Sequence, residues 1–132
     1  MEHLTDNLLL QVASVIRDEV TTTDELIPSG ETASYRSNPY KISEFTLLRK
    51  DPKYVGRAKD AQAYEKARLS GDRKTAAEFY APLKNVGIDV DKNLDTLLAT
   101  TGIGSVLYAK RPGDGSAREY AASCQKVLGG LA

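Results

Sequence analysis

The sequence has few of the residues that would assign it to several large classes of protein. Its 132 residues include one cysteine, Cys124, so the chain cannot form an internal disulfide or ligate a metal cluster through its own cysteines, and this composition fits a reducing, cytoplasmic setting. Lysine and arginine together number 18, as do aspartate and glutamate, and the resulting net charge of zero gives no general attraction for nucleic acid. The longest apolar run, LLLQVASVI, is too short to span a bilayer, and the first residues, MEHLTDN, lack the basic region of a signal peptide. We therefore expect a cytoplasmic protein with neither a nucleic-acid partner nor a membrane partner.

Two segments have the pattern of β-strands, in a chain whose length suits a single domain with a sizeable core. From Leu8 to Arg17, apolar residues recur at a period of two on one face and also occur on the other face, which predicts an inner strand. The first of these faces carries Leu8, Leu10, Val12 and Ile16. A second strand is predicted from Gly104 to Lys110, and we expect both strands in one core sheet of a mixed α/β domain. The stretch 88–101 contains NLDTLLA, which fits either one helical turn or two.

The middle of the chain is predicted to be helical. Asp51 and Pro52 have the form of a helix start, because a carboxylate can cap the first turn and proline suits the first helical position. The helix is expected to run to about Leu69 and to stop before Gly71. Asp72 can cap a second helix that ends at Gly87.

A strand, a glycine-rich turn and a helix follow one another near the end of the chain. Gly113 and Gly115 form the turn, and Ser116 lies where the helix begins. The helix has an apolar stripe that consists of Ala117, Ala121, Cys124, Leu128 and Leu131. We expect Ala121, Cys124 and Leu128 of this stripe to face the core and Cys124 to be a buried structural thiol.

This junction has the chemistry of an anion-binding site. The first turn of a helix presents unpaired N–H groups and the positive end of the helix dipole, and Arg118 adds a forked cation suited to a carboxylate. The same environment lowers the cost of the Ser116 alkoxide, so the pair could bind a carboxylate and remove a nearby proton. Alternatively, Ser116 is only a helix cap and Arg118 forms an exposed ion pair with Asp114. A phosphate loop is a further alternative, but the lysine of such loops is missing.

Two motifs resemble the swivel domain of the aconitase superfamily, which is also the small subunit of isopropylmalate dehydratases. GDGSAREYAA is similar to the family motif G-x-G-S-S-R-E-H-A, and VTTTDELIPSGETASYRSN is similar to its T-T-D-x-I loop followed by an arginine, here Arg36. The resemblance covers both ends of the chain and implies one swivelling β/β/α-type domain over 1–132, with a helical insertion around 51–87.

The resemblance also implies roles for individual residues. Ser116 would be the base that abstracts a proton beside a carboxylate, while Arg36 and Arg118 would bind substrate carboxylates and converge in one cavity. Thr23, Asp24, Gly115 and Ala117 would complete the substrate site. Three residues depart from the family pattern: Ala117 replaces a second serine, Tyr120 replaces a histidine, and Glu25 stands where aconitases have histidine.

The family reaction uses a four-iron four-sulfur (4Fe-4S) cluster as Lewis acid, and its three cysteines lie on other domains. The resemblance therefore implies no cofactor in this chain, and a cluster in partner domains of a larger hydratase of which the chain is a C-terminally truncated fragment. On this interpretation the isolated fragment is inactive, and its exposed sheet edge could pair with a second copy.

The sequence thus predicts an aconitase-like hydro-lyase domain that acts on a small hydroxy di- or tricarboxylic acid. The alternative is a non-catalytic carboxylate-binding module that has lost the lyase chemistry. Three cluster cysteines elsewhere in the gene would favour catalysis.

Overall fold

The central sheet joins the two strands that the sequence predicts. The computed structural model of the chain describes residues 4–28, 30, 33–35, 37–115 and 118–131, with all their side chains except those of residues 33 and 118–120. Strand β1 (Asn7–Ile16) pairs in parallel with β3 (Thr101–Ala109), and a second, shorter parallel pair joins β2 (Thr21–Thr22) to β4 (Pro112–Asp114). The prediction of a mixed α/β domain whose two main strands share a sheet is confirmed.

The prediction that β1 is an inner strand, with one apolar face running from Leu8 to Ile16, is wrong. Within the described residues, β1 pairs with β3 alone, and the register shifts between Val12 and Ser14. The extra residue, Ala13, is a bulge that reverses the alternation of side chains. Ile16 therefore lies in the core, whereas Leu8 and Val12 are 41% and 55% exposed.

Six helices and two short 3-10 segments account for most of the rest of the described chain. The helices are α1 (Thr23–Leu26), α2 (Pro39–Ser43), α3 (Tyr54–Ser70), α4 (Arg73–Tyr80), α5 (Val90–Thr100) and α6 (Arg118–Val127). The 3-10 segments are Ala33–Tyr35 and Ala81–Val86. None of the helices in the described ranges is long and apolar enough to cross a membrane.

Local signals set the ends of the middle helices as predicted. Gly71 and Gly87 adopt the left-handed conformation, with φ of 83° and 85°, and close the C-termini of α3 and of the segment after α4. The side chain of Asp72 accepts a hydrogen bond from the Thr75 N–H and so caps α4. The stretch that was ambiguous in sequence forms the 11-residue helix α5.

Asp51 does not cap α3, contrary to the prediction, because its carboxylate serves the bulge in β1. The Ser14 hydroxyl donates to Asp51 over 2.6 Å, and Arg57 forms an ion pair with the same carboxylate oxygen. The Arg57 Nε group donates to the carbonyl oxygen of Ala13. Helix α3 begins only at Tyr54, after a turn over Asp51.

The core lies between the helices and one face of the sheet. The larger cluster of buried side chains contains Ala13, Ile16, Leu26, Ile27, Ile42, Leu47, Tyr54, Ala58, Ala121, Cys124 and Leu128. A smaller cluster contains Tyr80, Val90 and Ile103. Ala121, Cys124 and Leu128 are 7%, 1% and 2% exposed, so the prediction that these three residues face the core is confirmed, whereas Leu131 is 42% exposed.

Candidate functional site

The two motif loops, which come from opposite ends of the chain, lie side by side. Thr21 is registered opposite Pro112 and Thr22 opposite Asp114 in the parallel pair of β2 and β4. The Thr21 N–H donates to the Arg111 carbonyl oxygen over 2.9 Å. The glycine-rich turn and the threonine-rich loop therefore form one surface next to the start of α6.

A capping box holds the threonine-rich loop in place. The Thr22 hydroxyl accepts from the Glu25 N–H (3.2 Å), and the Glu25 carboxylate accepts from the Thr22 N–H (2.7 Å). Lys50 Nζ lies 3.2 Å from the same carboxylate. The hydrogen bond from the Thr22 backbone and the Lys50 charge lower the pKa of Glu25 below its usual range. Glu25 thus has a structural role in this loop.

Thr23 and Gly115 also approach each other closely where the two loops meet. Thr23 is 6% exposed, and a β-carbon at position 115 would fall 2.3 Å from its Oγ1 atom. Gly115 also has a φ of 140°, a conformation that favours glycine. The turn can therefore approach the threonine loop only because position 115 carries no side chain.

A cleft of about 440 Å³ opens between β4 and α6, directly beside the paired loops. Its walls are Leu26, Arg111, Pro112, Gly113, Asp114, Ala121, Ala122 and Gln125. The two alanines of α6 leave room that larger side chains would fill. The cleft therefore provides a space for a small molecule where the sequence predicts an anion site.

Two charged residues of the cleft, Arg111 and Asp114, were missed as site residues by sequence reasoning. Both are exposed, and within the described part of the chain neither forms an ion pair. The preceding cation, Lys110, instead pairs with Glu19 at 2.5 Å. Lys110 and Arg111 lie in the bend between β3 and β4, so no alternation of a strand in the sequence could have separated them.

The structure describes only some of the site residues that the sequence predicts. Thr23 and Gly115 meet, whereas Asp24 is exposed, forms an ion pair with Arg49 at 3.4 Å and does not line the cleft. Arg118 is the first residue of α6, but its side chain, like Arg36, Ser116 and Ala117, lies outside the described residues. The convergence of the two arginines stays a prediction.

The described residues do not fit direct ligation of an iron–sulfur cluster. Nowhere in the described ranges do three histidine, cysteine, aspartate or glutamate side chains gather as a metal site. Burial raises the pKa of the Cys124 thiol to about 11, so the thiolate that a metal requires is strongly disfavoured.

No protein-family model, curated protein or solved structure matches the chain. Its functional assignment therefore depends on the geometry of the cleft and on the two motifs that meet there.

Proposed function

We propose that the chain is the substrate-binding and catalytic swivel-type domain of an aconitase-like hydro-lyase that acts on a hydroxy di- or tricarboxylic acid. The observation that carries this proposal is the pairing of β2 with β4, which brings the threonine-rich loop to the glycine-rich turn beside the cleft. The resemblance requires these two motifs to serve one site. Their sequence separation alone would not bring them together.

Binding of the carboxylates is assigned to the cations around the cleft. Arg111 lines the cleft without an ion-pair partner in the described part of the chain, so it can bind a carboxylate through its forked guanidinium group. Arg118, the first residue of α6, is assigned a second carboxylate contact on the basis of the resemblance. Arg36 is assigned the third carboxylate contact on the basis of the resemblance.

Recognition of the hydroxyl group is assigned to Asp114. A carboxylate in the cleft repels a plain polyanion but accepts a hydrogen bond from a hydroxyl group. A hydroxy acid supplies both the carboxylate that Arg111 requires and the donor that Asp114 requires. This pair of opposite charges favours a hydroxy acid over a carboxylate without a hydroxyl group.

Proton abstraction is assigned to Ser116. In the sequence the residue follows Gly115 directly and precedes α6, and the unpaired N–H groups and positive dipole end of a helix's first turn would lower the cost of an alkoxide there. A 4Fe-4S cluster, held by other domains, would supply the Lewis acid for the departing hydroxyl group. The residues of this chain bind and orient the substrate and move the proton.

The experiment that tests catalysis uses the chain together with its cluster-bearing domains. We expect Ser116→Ala to slow the chemical step by a factor of about 100 to 10,000 and to leave substrate affinity nearly unchanged, because the base is lost but the arginines stay. Arg118→Lys keeps the charge but loses the fork, so both affinity and rate should fall.

Unchanged turnover in Ser116→Ala would reduce Ser116 to a helix cap. Carboxylate binding without any turnover in the assembled protein would instead leave the domain a non-catalytic carboxylate-binding module.

A further inference from the structure

One face of the main sheet carries apolar side chains that no helix of the described chain covers. The opposite face packs against the helices, and its apolar side chains belong to one or other of the two buried clusters. They are Leu9, Ile16, Ile103, Leu107 and Ala109. The uncovered face carries Leu8, Leu10, Val12, Val15, Val106 and Tyr108, a set that we call the open face. Its Val12 and Tyr108 are both 55% exposed.

The described part of the chain covers the open face only at its two glycines. A β-carbon at Gly102 would fall 2.7 Å from Thr5 Oγ1, and one at Gly104 would fall 2.7 Å from Leu131. Beyond them, Val12, Val15 and Tyr108 remain about half exposed. Parallel strands are usually buried on both faces, and a contiguous exposed apolar patch marks a contact surface. The open face is therefore expected to be covered by a partner.

The charges at the two ends of β1 indicate which partner fits. Asp6 precedes the strand and Arg17 follows it; both are exposed, and neither has an ion-pair partner in the described part of the chain. Of the other charges near the Arg17 end, Asp18 pairs with Lys50 and Glu19 pairs with Lys110, while Arg111 lines the cleft. Among the residues that directly flank β1, one acid and one base without an ion pair in the described part of the chain thus stand at opposite ends of the strand.

We propose that the partner is a second copy of this chain, packed through the open face about a two-fold axis with the two β1 strands antiparallel. In a two-fold dimer the same patch meets itself, so the surface has to be complementary to its own rotated copy. Antiparallel packing places Asp6 of each chain next to Arg17 of the other and brings the apolar side chains together. A face with one acid at one end and one base at the other meets that requirement, whereas an anionic membrane surface would call for an excess of cations.

The first test measures the oligomeric state of the 132-residue chain by sedimentation equilibrium across micromolar concentrations. We expect a dimer that Val12→Lys converts to a monomer with an unchanged circular dichroism spectrum, because the variant places a charge in the centre of the open face. The matched control is Val86→Lys, at a valine that is 73% exposed in the 3-10 segment, and it should remain a dimer. A monomeric wild-type chain, or a dimer that Val12→Lys leaves intact, overturns the proposal.

The second test examines the antiparallel arrangement by charge reversal. Asp6→Arg and Arg17→Asp should each weaken dimerisation several-fold, since each places like charges together at both ends of the interface. The double variant Asp6→Arg/Arg17→Asp should recover the wild-type dissociation constant, because its reversed charges attract again across the two-fold axis. If the double variant loses as much dimerisation free energy as the two single variants together, the antiparallel arrangement is contradicted.

Discussion

Gly115 packs directly against the buried side chain of Thr23, so that a β-carbon at position 115 would lie 2.3 Å from Thr23 Oγ1. This contact joins the turn before α6 to the loop after β1. It makes the glycine a condition for the shape of the cleft, independent of any role in chemistry.

Gly115→Ala should therefore disturb both the stability of the domain and the cleft. The φ of 140° is strained for alanine and the new methyl group collides with Thr23, so we expect the free energy of unfolding to fall by roughly 1–3 kcal/mol. Chemical denaturation measures the change. The control is Gly56→Ala in α3, where a β-carbon meets nothing within 4 Å and the substitution should stabilise the helix by about 0.5–1 kcal/mol. An unchanged stability and Thr23 amide resonance in Gly115→Ala would show that the two loops do not touch.

The capping box predicts a pH dependence that Glu25→Gln should reduce. The pKa of Glu25 is lower in the folded state than the ordinary value of 4.5, so its contribution to stability is present above that value and is lost as the pH falls through the lowered pKa. The wild-type chain should therefore be more stable than Glu25→Gln at pH 7, and the difference should shrink as the solution is acidified below about pH 4.5. Urea denaturation at a series of pH values measures it. A difference that widens in acid would contradict the assigned hydrogen bond to the Thr22 N–H.

The bulge in β1 depends on an acceptor that comes from the start of α3. Asp51→Ala leaves the buried Ser14 hydroxyl without its acceptor and Arg57 without its ion pair, which should cost about 1–3 kcal/mol of unfolding free energy. Asp95→Ala is the control, because its ion pair with Arg73 is exposed and should contribute at most about 1 kcal/mol. If both variants lost the same small amount in thermal denaturation, the Asp51 network would be no more than a surface contact.

The parts of the fold that the sequence predicts are those governed by nearby residues. Gly71, Asp72 and Gly87 end or begin helices through hydrogen bonds that reach only three to five residues along the chain, so their patterns are readable. The bulge at Ala13 cannot be predicted from neighbouring residues. It depends on Arg57 and Asp51, which approach β1 only after α3 has packed on the sheet. The alternation in β1 was therefore assigned to the wrong face beyond Val12.

The same distinction applies to the candidate site. The proximity of the two motifs was expected from a family resemblance and not from spacing, because no local rule relates Thr23 to Gly115. Arg111 was missed because its place in the cleft depends on the pairing of β4 with β2, and that pairing covers only two positions. Short pairs of this kind leave almost no periodic signal in a sequence.

The most direct test of the account is whether the cleft binds a hydroxy carboxylate through Arg111. We would titrate the ¹⁵N-labelled chain with citrate and, separately, with tricarballylate, which has the same three carboxylates but no hydroxyl group, and follow the amides of Gly113, Gly115 and Ala122 by nuclear magnetic resonance. The account predicts saturable shifts at these amides, tighter binding of citrate than of tricarballylate, and at least a tenfold loss of citrate affinity in Arg111→Ala but not in the control Lys110→Ala. Shifts that lie elsewhere on the surface, or equal affinities in the two variants, would contradict it.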